Sequence, residues 1–143
     1  MPESQTSMPP TRPATSDTSE RHVFVYGTLR RGDDNDITRL HPAPRWIGAA
    51  SIQGRMYHLG RYPGVILGSG GVVAGEVYAI SAELEARLDE IEEIYPQQHD
   101  EYFKRHIPVH VNGALLTCIV YEINARYVQG RTIIASGDWV RDR

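Results

Sequence analysis

Asn112-Gly113 stands between two runs of β-favouring residues, Arg105–Val111 and Ala114–Ile123, and no other short segment constrains the fold as strongly. The central positions of a type I′ turn both need positive φ, which Asn and Gly adopt most readily, and the twist of that turn suits two paired strands. The two runs are therefore expected to fold back on each other as a hairpin. Ile107, Val109 and Val111 alternate with His106, Pro108 and His110, the period of a strand with one buried face. Pro108 has no N–H to give to a ladder, which predicts an edge strand or a bulge there.

A hairpin needs partners, and the chain supplies them. His22–Tyr26 is a compact β-favouring run closed by Gly27. Segments around Trp46–Leu59 and Val72–Ile80 read as further strands, with glycine-rich breaks expected at Gly60–Gly64 and Gly68–Gly71. One long helix is evident over residues 82–93. Ser81 is placed to cap it, Glu83 lies in its first turn, and Leu84, Leu88 and Ile91 follow the i, i+4, i+7 spacing of a single face. Pro96 and the polar run to Asp100 end it. Strands outnumber helices, so the expected class is α+β, built around a curved sheet or small barrel. Residues 1–20 are rich in Ser, Thr and Pro with no large apolar residue except Met1 and Met8. Such a segment cannot offset its ordering entropy and is expected to be a disordered tail, leaving 21–143 as the domain.

Charge narrows the function classes. Fifteen Lys and Arg against eighteen Asp and Glu give a net charge of −3, so no broad basic field exists for a phosphate backbone and a nucleic-acid partner is not expected. No apolar stretch approaches the ~20 residues that span a bilayer. No hydrophobic core of a signal peptide opens the chain, and a cytoplasmic protein without membrane attachment is expected. The lone Cys118 lies in the apolar run Leu115–Val120, where a buried thiol is expected rather than a nucleophile. A P-loop, HExxH, CxxC and GxSxG are all absent. His106 and His110 share one side of a strand but have no evident third ligand, so no metal site is expected. Nothing in the sequence specifies an oligomeric state.

Two segments remain as candidates for chemistry. The helix carries Glu83, Glu85, Asp89, Glu90, Glu92 and Glu93. At about 100° per residue, Glu92 falls about 70° from the centre of the apolar stripe, Asp89 and Glu90 about 130° away, and Glu93 nearly opposite. Glu92 is thus the carboxylate closest to the core face, able to enter a cleft while its neighbours stay in water. A carboxylate partly withdrawn from water has a raised pKa, which suits proton transfer near neutrality. The alternative is a solvated acidic face. The second candidate is Tyr26-Gly27-Thr28-Leu29, where a strand ending in glycine leaves backbone N–H groups at its tip to receive a carboxylate or an oxyanion. The alternative there is an ordinary strand exit.

These segments also carry a family likeness. Val25-Tyr26-Gly27-Thr28-Leu29-Arg30-Arg31-Gly32 resembles the N-terminal signature of gamma-glutamylcyclotransferase-like proteins, of the gamma-glutamylamine cyclotransferase type. Gly75-Glu76-Val77-Tyr78, followed by Leu88-Asp89-Glu90-Ile91-Glu92, looks like the second signature. Tyr102 with Lys104 and Arg105 resembles the Tyr-plus-basic motif that follows, and Ser136-Gly137-Asp138-Trp139 is similar to a common C-terminal element. The likeness spans about residues 22–139, with four elements in the family's order. It departs where many members have Gly after the glutamate: here Glu93 and a longer Ile94–Asp100 segment follow.

The resemblance implies a small mixed β-barrel with flanking helices, and Glu92 as general acid/base. It implies that a gamma-glutamyl amide cyclises to 5-oxoproline and frees its amine, with no metal, nucleotide or other cofactor. Tyr26, Gly27, Thr28, Leu29 and Tyr102 would bind the substrate. A second hypothesis from another class is a catalytically idle module of the same fold that binds a small carboxylate. The retained glutamate favours the enzyme.

Overall fold

The computed structural model describes residues 20–93 and 101–142, without the side chains of Glu92 and Glu93. The expected tail, apart from Glu20, and the Ile94–Asp100 segment lie outside the described residues. Six strands are described: β1 Arg21–Val25, β2 Arg45–His58, β3 Pro63–Ile80, β4 Tyr102–Val111, β5 Ala114–Ile123 and β6 Thr132–Ile133. Helix α1 spans Ala82–Glu93 and the short α2 spans Trp139–Asp142. The strands form one sheet in the order β4-β5-β1-β3-β2-β6. The β1–β5 pair is parallel and every other pair antiparallel, so the sheet is mixed and the α+β class holds.

The hairpin is as expected. Asn112 and Gly113 have φ of 51° and 77°, the two positive values of a type I′ turn, and Val111 pairs with Ala114. Strand β4 lies at the sheet edge, and Pro108 sits there opposite Thr117. Across the curl of the sheet the hairpin tip meets β2. The Asn112 amide donates to the Ile47 carbonyl, and a Cβ at Gly48 would stand 2.9 Å from Val111 Cγ2. Closure between β2 and β4 is thus made by side chains. The hydrogen-bonded ladder itself stays open, and the sheet is barrel-like without being a closed barrel.

One expectation is corrected. Gly68–Gly71 does not separate two strands. Gln53 pairs with Val72 and Gly54 with Leu67, so the four residues between stand out of the ladder as an extended bulge in one continuous strand. That bulge is where the long β2–β3 ribbon changes register, which sharpens bending and twist. Pro63 and Gly64, expected in a break, already pair with His58 and Tyr57.

Strand β1 explains why the core has two parts. Successive side chains point to opposite faces, and β1 is flanked on both sides. Phe24 joins the cluster inside the curl, with Met56, Val65, Val73, Cys118 and Trp139. Val23 and Val25 join the cluster beneath α1, with Tyr78, Leu84, Leu88 and Ile119. Helix α1 begins where Ser81 Oγ accepts from Leu84 N at 3.1 Å. Leu84 and Leu88 are fully buried, so the apolar stripe does the docking.

The C-terminal segment closes the inner core. Gly137 O accepts from Ala74 N at 2.8 Å, and a Cβ at Gly137 would lie 1.8 Å from Val72 O, at a φ of +69°. Steric overlap and an unfavourable φ therefore fall on one residue. Gly137→Ala is expected to destabilise the fold by about 2–4 kcal/mol, combining backbone strain with overpacking. Gly32→Ala, whose φ is +89° with no heavy atom within 4 Å of the added Cβ, isolates the strain alone at about 1–2 kcal/mol. Urea denaturation of both variants measures the difference, and equal losses would contradict the steric argument.

Candidate active site

Beyond β1 the chain turns sharply, with Arg30 N donating to Gly27 O at 2.9 Å. Thr28 O and Leu29 O accept from Asn35 N and Ile37 N, both at 2.9 Å. The N–H groups of Thr28 and Leu29 meet no acceptor among the described residues. Leu29 anchors the loop in the core beneath α1. Gly27 lies so close to Pro63 that a Cβ would come within 2.8 Å of its ring. Packing against Pro63 therefore calls for glycine there. Tyr26 is buried, and its hydroxyl donates to Tyr121 O at 2.6 Å.

A buried carboxylate holds this loop. Glu76, on β3, is 7% exposed. Its Oε1 accepts from Arg31 N and from Tyr78 Oη, both at 2.9 Å, and its Oε2 from Arg30 Nε at 3.2 Å. Arg30 also reaches Asp138 Oδ1 at 2.9 Å. Burial and the bond to Glu76 push the Tyr78 phenol up, so it remains a donor. The glutamate needs those donors because an unpaired buried charge costs several kcal/mol. The first, second and last sequence motifs thus meet on Arg30.

The other side of the site is α1. Glu85 and Asp89 do not stay in water as the helical projection implied. Lys104 Nζ on β4 contacts both, at 2.9 Å from Asp89 Oδ2. Tyr121 Oη donates to Asp89 Oδ1 at 2.6 Å, and Arg21 Nε pairs with Glu85 Oε1 at 3.0 Å. Burial works to lower the Lys104 ammonium, but the two carboxylates outweigh it and hold its pKa above the ordinary lysine value. A projection down one helix sees only the apolar stripe and not the charged strand residues that flank it. These bonds fix the helix against β4 and β5 one turn before Glu92. Glu92 lies four residues beyond the buried Leu88 in the same helix.

Between loop and helix lies a cavity of about 320 Å³, at the small end of small-molecule sites. Tyr26, Gly27, Thr28 and Leu29 line it, with Asn35, Tyr62, Pro63, Tyr102, Tyr121 and Ile91. It thus gathers every expected binding residue, and Ile91 brings the last turn of α1 to its wall immediately before Glu92. The Tyr102 hydroxyl donates to Pro63 O at 2.8 Å, which fixes the ring as part of that wall. Loop N–H groups at one side suit an anionic end of a small ligand, and the C-terminal end of α1 at the other, the negative pole of the helix, suits a cationic one.

Tyr62 and Pro63 were not among the expected site residues. They lie within the Gly60–Gly64 stretch, whose course depends on the β2–β3 register, which no local pattern reveals. Glu76 had a visible signal: it is the one charged residue inside the apolar run Val72–Ile80. Cys118 is fully buried, and burial pushes its thiol up to about 11, the opposite of nucleophile activation. Among the described residues no three His, Cys, Asp or Glu side chains gather as metal ligands. No described helix is long and apolar enough to cross a membrane.

Residues 23–141 match the family model described as gamma-glutamyl cyclotransferase, AIG2-like. The chain belongs to that family. It is 35% identical over 123 residues to the gamma-glutamylcyclotransferase family protein YtfP of Escherichia coli (strain K12), covering 85% of this chain and 98% of the relative. It is 41% identical over 75 residues to the gamma-L-glutamyl-butirosin B gamma-glutamyl cyclotransferase of Niallia circulans, covering 52% of this chain and 47% of that one. The crystal structure of an AIG2-like protein from Mus musculus aligns with a TM-score of 0.63 at 26% identity, over 83% of this chain and 88% of that one. The fold is therefore the family's.

Two outcomes follow from these charges. Glu76→Ala leaves Arg30 part-buried with Asp138 alone and is expected to cost about 3–5 kcal/mol in chemical denaturation, the loss seen when one partner of a buried pair is removed. A value under 1 kcal/mol would show that the loop stands without the carboxylate. Glu101 is 2% exposed, and burial raises its pKa above the ordinary carboxylate range, against a lowering hydrogen bond from Tyr62. A raised folded pKa means stability that is present below the unfolded pKa and lost as pH rises through the folded one. Glu101→Gln is expected to flatten the fall of stability with pH above the ordinary carboxylate range. An unchanged slope would mean that Glu101 titrates normally.

Proposed function

We propose that the protein converts a gamma-glutamyl amide into 5-oxoproline and a free amine, with Glu92 as the acid/base. The carrying observation is the cavity itself. Its wall joins a loop with two N–H groups that meet no acceptor among the described residues to the last turn of α1, at Ile91. The names of the family and of the relative from Niallia circulans support the same reaction class.

In this reading the Thr28 and Leu29 N–H groups receive the substrate's α-carboxylate or the oxyanion that develops on the γ-carbonyl. The Glu92 carboxylate takes one proton from the α-ammonium. The freed amine attacks the γ-carbonyl carbon and closes a five-membered ring. The tetrahedral intermediate then collapses as Glu92 returns that proton to the departing nitrogen and the bond to it breaks; the second proton, left on the ring nitrogen by the attack, passes through Glu92 to the freed amine, which departs as its ammonium ion. Protons and atoms balance without water. The nucleophile is already part of the substrate, so the protein's main task is to hold it bent, which rigid loop anchoring serves.

The test is 5-oxoproline release from gamma-glutamyl dipeptides, glutathione, gamma-glutamyl-ε-lysine and gamma-glutamylamines. At least one should turn over. Glu92→Gln should reduce the rate by about 10²–10⁴, the usual contribution of a general acid/base, with an unchanged melting temperature. Glu93→Gln should keep the wild-type rate. Near-native activity in Glu92→Gln would sink the assignment. Binding of a gamma-glutamyl compound without release of 5-oxoproline would favour the idle binding module.

A further inference from the structure

Behind the cavity wall lies a second buried carboxylate that the reaction above does not use. Glu101, at the foot of β4, accepts a 2.5 Å hydrogen bond on Oε2 from the hydroxyl of Tyr62. Among the described residues its Oε1 is buried with no hydrogen-bond partner, and Glu101 forms no ion pair. Tyr62 belongs to the short link between β2 and β3 and lines the cavity. Its ring lies 6.4 Å from that of Tyr102, tilted by 49°.

A carboxyl in this setting is a poor structural choice. Withdrawal from water without a cation destabilises the charged form, and an apolar side chain would fill the space at less cost. Buried groups left unsatisfied in a native fold call for an explanation, and one beside a cavity points to function. The bond length is that of a strong, charge-assisted contact. It ties down the hydroxyl of a tyrosine on a link, where backbone geometry alone would fix the ring less firmly.

We infer that Tyr62 contacts the leaving-amine half of the substrate through a hydrogen bond, and that Glu101 is the positioning residue that holds its hydroxyl there. This rests on the proposed cyclotransferase reading, in which the Thr28–Leu29 loop takes the glutamyl half and the Tyr62–Tyr102 wall is left for the amine.

The experiment compares Tyr62→Phe, Glu101→Leu, Glu101→Gln and the Tyr62→Phe/Glu101→Leu double variant. Turnover is measured on gamma-glutamyl substrates that differ only in the leaving amine, with calorimetric binding of 5-oxoproline alongside. Tyr62→Phe and Glu101→Leu should each lower kcat/KM about tenfold, the size of one lost hydrogen bond, and by amounts that vary with the amine. The double variant should be no worse than Tyr62→Phe, and Glu101→Gln, which still accepts from the phenol, should restore most of the rate. Affinity for 5-oxoproline, which lacks the amine, should not change.

Wild-type kcat/KM in Tyr62→Phe on every amine would overturn the assignment, and that variant needs no change to the buried carboxylate. Losses that multiply in the double variant would overturn Glu101's action through Tyr62. If the wild-type protein releases no 5-oxoproline at all, the reaction reading has failed instead. The same variants are then read by calorimetric binding of a gamma-glutamyl amide. Matched tenfold weakening in Tyr62→Phe and Glu101→Leu supports the contact, and unchanged affinity removes it.

Discussion

Glu76 is a carboxylate taken almost wholly out of water, and the arrangement of the site hangs on how it is compensated. One oxygen serves the Arg31 N–H and the Tyr78 hydroxyl, while the other serves the Arg30 guanidinium. Arg30 continues to Asp138 at the head of α2. Through these bonds the loop after β1, the middle of the sheet and the C-terminal segment become one unit. Removing any partner leaves a charge in a poorly solvated place, a far larger loss than that of an exposed ion pair. The N–H groups of Thr28 and Leu29 need no acceptor among the described residues because the loop that carries them is held from below. On the far side of the cavity, Lys104, Asp89 and Tyr121 clamp α1 to the sheet in the same manner. Two charged clamps fix the two walls before any ligand arrives, which is the preorganisation that the proposed catalysis by positioning requires.

Much of this was legible in the chain because the governing interactions are local. The Asn112-Gly113 turn, the Ser81 cap and the Leu84–Leu88–Ile91 stripe each depend on residues within one turn or one strand. Each is found where expected. The Gly68–Gly71 bulge was misread as a break because pairing register is decided by the partner strand, here β2, and not by glycine content. The tie between Glu85, Asp89 and Lys104 was missed for a related reason. A helical projection ranks residues by angle from an apolar stripe, but a cation on a neighbouring strand can make an outer angle a bonded one.

The site divides the same way. Tyr26–Leu29 line the cavity where the glycine-ended strand pointed, and the last turn of α1 reaches its wall at Ile91, because both are local patterns. Tyr62, Pro63 and Glu101 come together only through the β2–β3 link and the foot of β4, 39 residues apart in the case of Tyr62 and Glu101. The hydroxyls of Tyr26 and Tyr102 are turned to carbonyls of the fold, so both build the wall with their rings. Shape is thus set by tyrosines anchored to backbone, and charge is reserved for the clamps and the helix end.

The central claim is that the bond to the departing amine is broken by the substrate's own α-amine and not by water. Product analysis by mass spectrometry in ¹⁸O-labelled water, with a gamma-glutamyl amide and its α-N-acetyl analogue side by side, addresses it directly. The account requires 5-oxoproline without ¹⁸O from the free amine, and no reaction of the acetylated analogue, whose nucleophile is blocked. Glutamate carrying ¹⁸O in its γ-carboxylate, or turnover of the acetylated compound, would show hydrolysis and contradict it.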